Sequence, residues 1–139
     1  MSKKSSAIAA LIEGCQGREL HAHYLGYFEC FNRQLFFEAH DVLEELWLKD
    51  RTGSNYSFHK GLIQLAGAFV HLQKNRLRPS AALFKLAETN LKKYPMIHDH
   101  LNIEEVLKMI QSWLEQLEAR RFEVNPLIPG REPKLGLLP

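Results

Sequence analysis

The stretch FFEAHDVLEELWLK, residues 36–49, decides the fold class of this 139-residue chain. At 100° per residue, one broad helical face collects the apolar side chains of Phe36, Ala39, Val42, Leu43, Leu46 and Trp47. The opposite side, which we expect to face water, carries Glu38, Asp41, Glu45 and Lys49. Because so wide an apolar face must pack against other helices, the stretch predicts an amphipathic helix of a helical bundle.

The next helical segment, residues 58–72, predicts the central helix of that bundle. Its sequence, FHKGLIQLAGAFVHL, is apolar on nearly every side, as expected of a helix surrounded by others. A narrow polar stripe is formed by Lys60, Gln64 and His71, and Gly67 leaves room there for close approach of another element.

Two polar residues of the first stretch lie among its apolar neighbours. His40 and Glu44 are one turn apart, so their side chains can meet. An unsatisfied buried polar group costs about 1–3 kcal/mol, so we expect partners on the central helix, namely Gln64 and His71. The four residues fit a hydrogen-bonded network or a solvent-facing stripe. They also fit a divalent metal site, in which imidazole and carboxylate ligands from adjacent helices converge.

Turn and capping signals extend this interpretation along the chain. Ser80 after Pro79 marks a helix start, and Asn102 followed by Glu105 resembles a capping box. Hairpin dipeptides such as Asn-Gly are absent from the interior, so strands have few signals. We predict an all-α, single-domain bundle of five to six helices, built from antiparallel helical hairpins. The predicted helices span about 6–14, 19–32, 36–50, 56–75, 79–93 and 102–121.

The predicted organisation has three parts. Residues 1–18 form an N-terminal helix and linker, residues 19–122 the helical bundle, and residues 123–139 a Pro-rich C-terminal strap. The tail after residue 124 carries four prolines but also several leucines, so it fits either an extended strap on the bundle or a disordered segment.

Composition excludes several classes of protein. The net charge is only +2, and no run of basic residues marks a nucleic-acid-binding arm. The longest apolar window, residues 61–72, is too short to span a membrane, and we expect no export signal. Cys15 and Cys30 have neither CxxC spacing nor the pattern of a disulfide framework. We therefore expect a cytoplasmic protein that binds neither nucleic acid nor membrane.

The remaining candidate residues have ordinary structural explanations. His21 and His23, like His98 and His100, are two residues apart and do not share a helical face, so we expect surface positions. His59 fits a solvated helix terminus. No Gly-x-Ser-x-Gly elbow and no phosphate-binding glycine loop occurs, which leaves nucleophilic catalysis without support.

Three segments in order carry a family resemblance. They read FNRQLFFEAHDVLEELWL at 31–48, FHKGLIQLAGAFVHLQKN at 58–75 and AALFKLAETNLKKYP at 81–95. Together they resemble the small helical family called domain of unknown function 309, from about Phe28 to Pro95. That family pairs an FxxxFFEAHExLExxW-like helix with a GLIQxAxAxxHxxxGN-like helix. Asp41 departs from the pattern, because it stands where the family usually has Glu.

Members of that family are commonly labelled predicted metal-dependent hydrolases, and the resemblance implies this activity here. In that hypothesis His40, Glu44 and His71 ligate a divalent metal, and Gln64 orients water or substrate. Glu38 or Asp41 would support the ligands or act as a general base. The substrate would be a small molecule that the sequence does not identify.

The alternative is a non-enzymatic interaction or structural module. Stacked helical hairpins would then present a groove or an apolar patch to another protein or to a second copy of the chain, which makes a homo-oligomer an open expectation.

Overall fold

The computed structural model describes residues 21–139. These residues form five α-helices and one short two-stranded sheet, which confirms the predicted all-α bundle. In chain order the elements are α1 (Ala22–Asn32), α2 (Phe36–Lys49), α3 (Tyr56–Gln73), α4 (Leu77–Leu91), β1 (Ile97–His98), β2 (Leu101–Asn102) and α5 (Ile103–Ala119). The predicted N-terminal helix at 6–14, the proposed unit 1–18 and Cys15 lie outside the described residues.

The helices begin and end close to their predicted positions, with one informative difference. Asn102 caps α5 as expected, since its side-chain oxygen accepts from the Glu105 N–H at 3.1 Å. Helix α4, however, begins at Leu77, before Pro79. Ser80 is therefore not a cap; it is fully buried, and its hydroxyl donates to the Ala68 carbonyl of α3 at 2.8 Å.

The two helical hairpins have turns of the same kind. Gln34 after α1 and Asn75 after α3 have φ of 65° and 55°, so each takes the left-handed conformation. In both turns, the N–H one residue further on, at Leu35 or Arg76, donates back across the turn to a carbonyl of the last helical turn. This arrangement closes helix ends and reverses the chain. Consecutive helices therefore pack against each other as antiparallel pairs.

Helix α3 lies between α2 and α4, and α5 packs on α4. Most of α3 is buried, including Phe58, Leu62, Leu65 and Phe69. Helix α5 is strongly amphipathic and contributes Trp113 and Leu117 to the same core. Within residues 21–139, no helix has both the length and the apolar character needed to cross a membrane.

The sheet was not predicted. Asp99 and His100 form a two-residue turn in which both φ angles are positive, 46° and 63°, and the flanking strands pair antiparallel with Ile97 opposite Asn102. Asp and His tolerate this conformation better than most residues do. The hairpin lacks the Asn-Gly signature, which is why the sequence pattern did not reveal it.

The C-terminal segment lies along the bundle as an extended strap. Asn32 binds both backbone groups of Leu135, donating to its carbonyl and accepting from its N–H, each at 2.7 Å. The Leu135 side chain is buried, and Leu137 forms an antiparallel bridge with Leu101. The side-chain amide of Asn32, at the end of α1, thus makes the hydrogen bonds that a neighbouring strand would make, and it holds the strap on the bundle.

Candidate functional site

A groove of about 230 Å³ opens between α2, α3 and α4. Its walls are mostly apolar, and its polar side chains are His40, Gln64 and His71. The full lining is Phe37, His40, Ile63, Gln64, Gly67, Val70, His71 and Leu83. Three residues of the predicted polar cluster therefore line a single cavity, although they come from two helices. Apolar walls with a few converging polar groups are typical of small-molecule sites.

Gly67 sets how closely α4 approaches the groove. A Cβ atom added there would lie 3.1 Å from Leu83 Cδ1, which is closer than ordinary contact. The missing side chain lets Leu83 of α4 form part of the wall. This close approach is the use that the sequence suggested for a glycine between Gln64 and His71.

At the rim of the groove, three side chains of α2 bring possible metal ligands together. His40 Nδ1 lies 3.4 Å from Asp41 Oδ1, and His40 Nε2 lies 3.9 Å from Glu44 Oε2. One ligand atom from each of the three residues lies within 4.8 Å of the other two. The predicted His40–Glu44 contact is present in this geometry. Glu44 does not line the groove itself but reaches it through His40.

Asp41 and Glu38 are less exposed to water than the helical wheel of α2 predicts. The Asp41 side chain is only 15% exposed, and Glu38 is half-buried. A helical wheel treats α2 as an isolated cylinder with one covered face, whereas α2 packs against both α1 and α3. The expectation of a solvated Asp41 was therefore wrong. Glu38 lies in the first turn of α2 and is not part of the three-residue group.

His71 lies in the groove but outside that three-residue group. Its Nδ1 is buried and makes no hydrogen bond to residues 21–139. Burial lowers the pKa of His71 below its ordinary value, and the nearby charges of Arg76 and Lys74 lower it further. Both effects favour the neutral form of the imidazole.

Gln64 is held by residues that the sequence interpretation missed. Its Oε1 accepts from Asn90 Nδ2 at 2.7 Å, and Asn90 Oδ1 accepts from Lys93 Nζ at 3.2 Å. Asn90 is only 9% exposed. A wheel drawn for α4 would have shown this amide next to Leu83, at the edge of the buried face that carries Ala87 and Leu91, which is the signal that could have found it.

Two histidines expected at the surface are covered to different extents, since His59 is buried and the His98 side chain is 23% exposed. His59 is 7% exposed and packs near the rings of Tyr24 and Phe58. The His98 ring lies 4.7 Å from that of Phe58, and its Nε2 lies 2.6 Å from Asn55 Oδ1. The expectation of a solvated His59 was wrong because α1 and the unpredicted hairpin close over the first turn of α3. Neither histidine reaches the groove.

Acidification is expected to destabilise the fold through His59. Burial lowers its pKa; Asp99 and Asp50 oppose this effect, and His21 and His98 reinforce it. The unfolded chain, in which a histidine titrates near pH 6.5, then binds the proton at higher pH than the folded chain does. Stability should therefore fall as the pH drops below about 6.5.

Thermal unfolding of wild type and His59→Leu at pH of about 7.5 and about 5.5 measures this effect. The wild type should lose more stability on acidification than the variant, because leucine takes up no proton. Equal losses in the two proteins would show that His59 does not contribute.

Comparison with known proteins bears on these same elements. Residues 24–83 match the family model described as domain of unknown function (DUF309). The match covers α1 to α3 and the first part of α4, which carry His40, Glu44, Gln64 and His71. It agrees with the resemblance inferred from the three segments, and the family's description names no activity.

A curated relative is similarly uncharacterised. The uncharacterized protein YpuF of Bacillus subtilis (strain 168) is 28% identical over 105 residues, which cover 72% of this chain and 59% of the relative. The chain thus spans less than two thirds of the length of that relative. No solved structure matches the chain.

Proposed function

Since residues 24–83 match the DUF309 domain, we propose that this domain binds a divalent metal at His40, Asp41 and Glu44 and hydrolyses a small molecule held in the adjoining groove. The observation that carries the proposal is the meeting of two features at His40. This residue belongs to the three-residue ligand group and also lines the apolar groove. A reactive centre would then lie at the mouth of a binding site.

The donor set suits a divalent transition metal. Imidazole with two carboxylates is a ligand combination of zinc, manganese and non-haem iron sites. Three protein ligands leave positions open, as catalytic sites require. The side chains are partly exposed, at 31% for His40 and 37% for Glu44, so an ion has access from solvent. Relative to the sequence prediction, Asp41 joins His40 and Glu44 in the ligand group, while His71 remains in the groove.

Each groove residue has a role in this proposal. A divalent ion held at the rim would supply the Lewis acidity that hydrolysis needs. Gln64, fixed by Asn90, orients the substrate through its amide. Burial lowers the pKa of His71, which favours the neutral imidazole that a general base requires. Glu38, half-buried in the first turn of α2, supports the ligand helix electrostatically.

Calorimetric titration of chelator-treated protein with Mn²⁺ and Zn²⁺ tests the proposal. We expect binding of one ion per chain and a rise in Tm, since an ion at about 100 times its Kd stabilises the folded state by about 2.7 kcal/mol. Hydrolysis of 4-nitrophenyl butyrate with and without metal tests the reaction. Absence of stoichiometric binding, with Tm unchanged by either ion, would overturn the proposal.

A non-enzymatic interaction module is the second candidate, and one observation favours it. Phe37, at the rim of the groove, is 56% exposed, and Leu86 on α4 is 50% exposed. Exposed apolar side chains beside a groove are a feature of interaction surfaces. Light scattering tests for the interaction module. A homo-oligomer that dissociates on the substitution Phe37→Asp would support it.

The proposal places the protein in the cytoplasm. The two cysteines lack the spacing of a disulfide framework, which suits a reducing compartment. The net charge of +2, without a basic run, gives no basis for a nucleic-acid partner.

A further inference from the structure

We infer that Asn90 and Lys93 set the hydrogen-bonding polarity of the groove, so that it selects ligands with a carbonyl-type acceptor oxygen over ligands that offer only a donor. The inference rests on the proposed small-molecule function and names the class of molecule that the groove takes. Asn90 and Lys93 are positioning residues here, since they act through Gln64.

Three side chains behind the groove are joined by hydrogen bonds. Lys93 Nζ lies 3.2 Å from Asn90 Oδ1, and Asn90 Nδ2 lies 2.7 Å from Gln64 Oε1. Lys93 also reaches Ser57 Oγ at 3.4 Å, which holds the ammonium group near α3. These hydrogen bonds lead from Lys93 at the surface, through the buried amide of Asn90, to Gln64, which lines the groove.

Donors and acceptors can be arranged in only one way along these hydrogen bonds. The lysine ammonium has three donors and no acceptor, so the atom of Asn90 that faces it must be the oxygen. The Asn90 NH₂ group then faces Gln64, and Gln64 must present its oxygen in return. Turning both amides over would set the NH₂ group of Asn90 against the ammonium group, with two donors facing each other. A surface cation therefore fixes the orientation of Gln64.

The orientation of Gln64 decides which group its side chain offers to a ligand in the groove. With Oε1 committed to Asn90, the NH₂ group of Gln64 is what remains to meet a ligand in the groove. The groove that Gln64 lines has mostly apolar walls, including Ile63, Val70 and Leu83, and its other polar side chains are His40 and His71. A ligand that offers only a donor would set two donors face to face at Gln64, so its NH₂ group favours a ligand that offers an acceptor. The ligand class is thus an apolar molecule with an acceptor oxygen, which an ester or amide substrate would supply through its carbonyl group.

Two neutral probes of similar size test this polarity. Acetophenone offers a carbonyl acceptor and no N–H or O–H donor, whereas indole offers an N–H donor and no conventional acceptor. Their binding is measured by protein-observed NMR titration in the presence of a chelator, so that no metal takes part. The wild type should bind acetophenone about fivefold more tightly than indole, the factor for one net hydrogen bond.

Asn90→Asp is the informative variant. A carboxylate accepts from Lys93 and from Gln64 but donates to neither, so Gln64 must turn over and present Oε1 to the groove. The preference should invert, with indole bound more tightly than acetophenone. Ser80→Ala is the matched control, because it removes a buried hydrogen bond between the same two helices without touching Gln64. It should lower Tm while leaving the preference at the wild-type ratio.

Lys93→Met keeps the test decisive if Asn90→Asp does not fold. Lys93 is exposed, so its removal should not disturb the fold, and the two amides become free to turn over together. The preference should then fall close to unity. A wild type without preference, or variants that keep the wild-type ratio, would overturn the inference. Failure of metal binding alone would overturn the proposed hydrolase and leave this polarity intact.

Discussion

Phe69→Ala is expected to lower the free energy of unfolding by about 3–5 kcal/mol, the usual cost of emptying a buried phenylalanine site. Phe69 is fully buried in α3. Its ring centroid lies 5.0–5.5 Å from those of four other aromatic rings, contributed by α1, α2, α4 and α5: Phe31, Phe36, Phe84 and Trp113. The loss is large because this one side chain joins all the helices that surround α3.

Chemical denaturation followed by circular dichroism measures the effect. Phe37→Ala is the matched control, since this phenylalanine is 56% exposed and should cost less than about 1 kcal/mol. A similar loss from both substitutions would contradict the central position of Phe69. A loss near zero for Phe69→Ala would mean that the helices pack differently from the arrangement described.

Glu44→Gln is expected to weaken divalent metal binding by about tenfold to a hundredfold. The loss of a residue that only contacts a metal ligand commonly has an effect of this size, and Glu44 is proposed to bind the ion itself. The change keeps the shape of the side chain, removes its negative charge and replaces one of the two oxygens that could bind the ion. Since Glu44 is 37% exposed, the fold should be retained. Calorimetric titration with Mn²⁺ and Zn²⁺ gives the ratio of affinities directly.

Glu104→Gln provides the comparison for that variant. Glu104 is 46% exposed and pairs with Lys108 one turn away at 3.6 Å, so it resembles Glu44 in exposure and spacing but lies on α5. Its replacement should leave metal affinity unchanged. If Glu44→Gln and Glu104→Gln bind metal equally, the ion does not sit at His40, Asp41 and Glu44. A loss of stability without any metal effect would favour a purely hydrogen-bonded network.

The polar cluster could be predicted from the sequence because the spacing of its residues is set within each helix separately. His40 and Glu44 stand one turn apart among apolar neighbours, and Gln64 and His71 stand two turns apart on an otherwise apolar helix. Such spacing follows from 3.6 residues per turn and needs no knowledge of neighbours. The structure adds that His40, Gln64 and His71 share one groove, with Glu44 beside His40.

Residues whose surroundings come from several elements were not predictable in this way. His59 is covered by Tyr24 of α1, and His98 lies in a hairpin that no turn signature announced. The low exposure of Asp41 likewise depends on α2 having packed neighbours on two sides. In each case the surroundings of the side chain include residues of another element, which a pattern within one segment does not reveal.

The sequence by itself determined the all-α class, the positions of the described helices and three polar residues that line the groove, because apolar periodicity and capping are properties of short segments. Only the tertiary structure decided that Asn90 and Lys93 stand behind Gln64, that Asp41 joins His40 and Glu44, and that Asn32 holds the strap 103 residues further along the chain. These contacts join segments far apart in sequence, so they depend on how the helices cross and not on the pattern within any one of them.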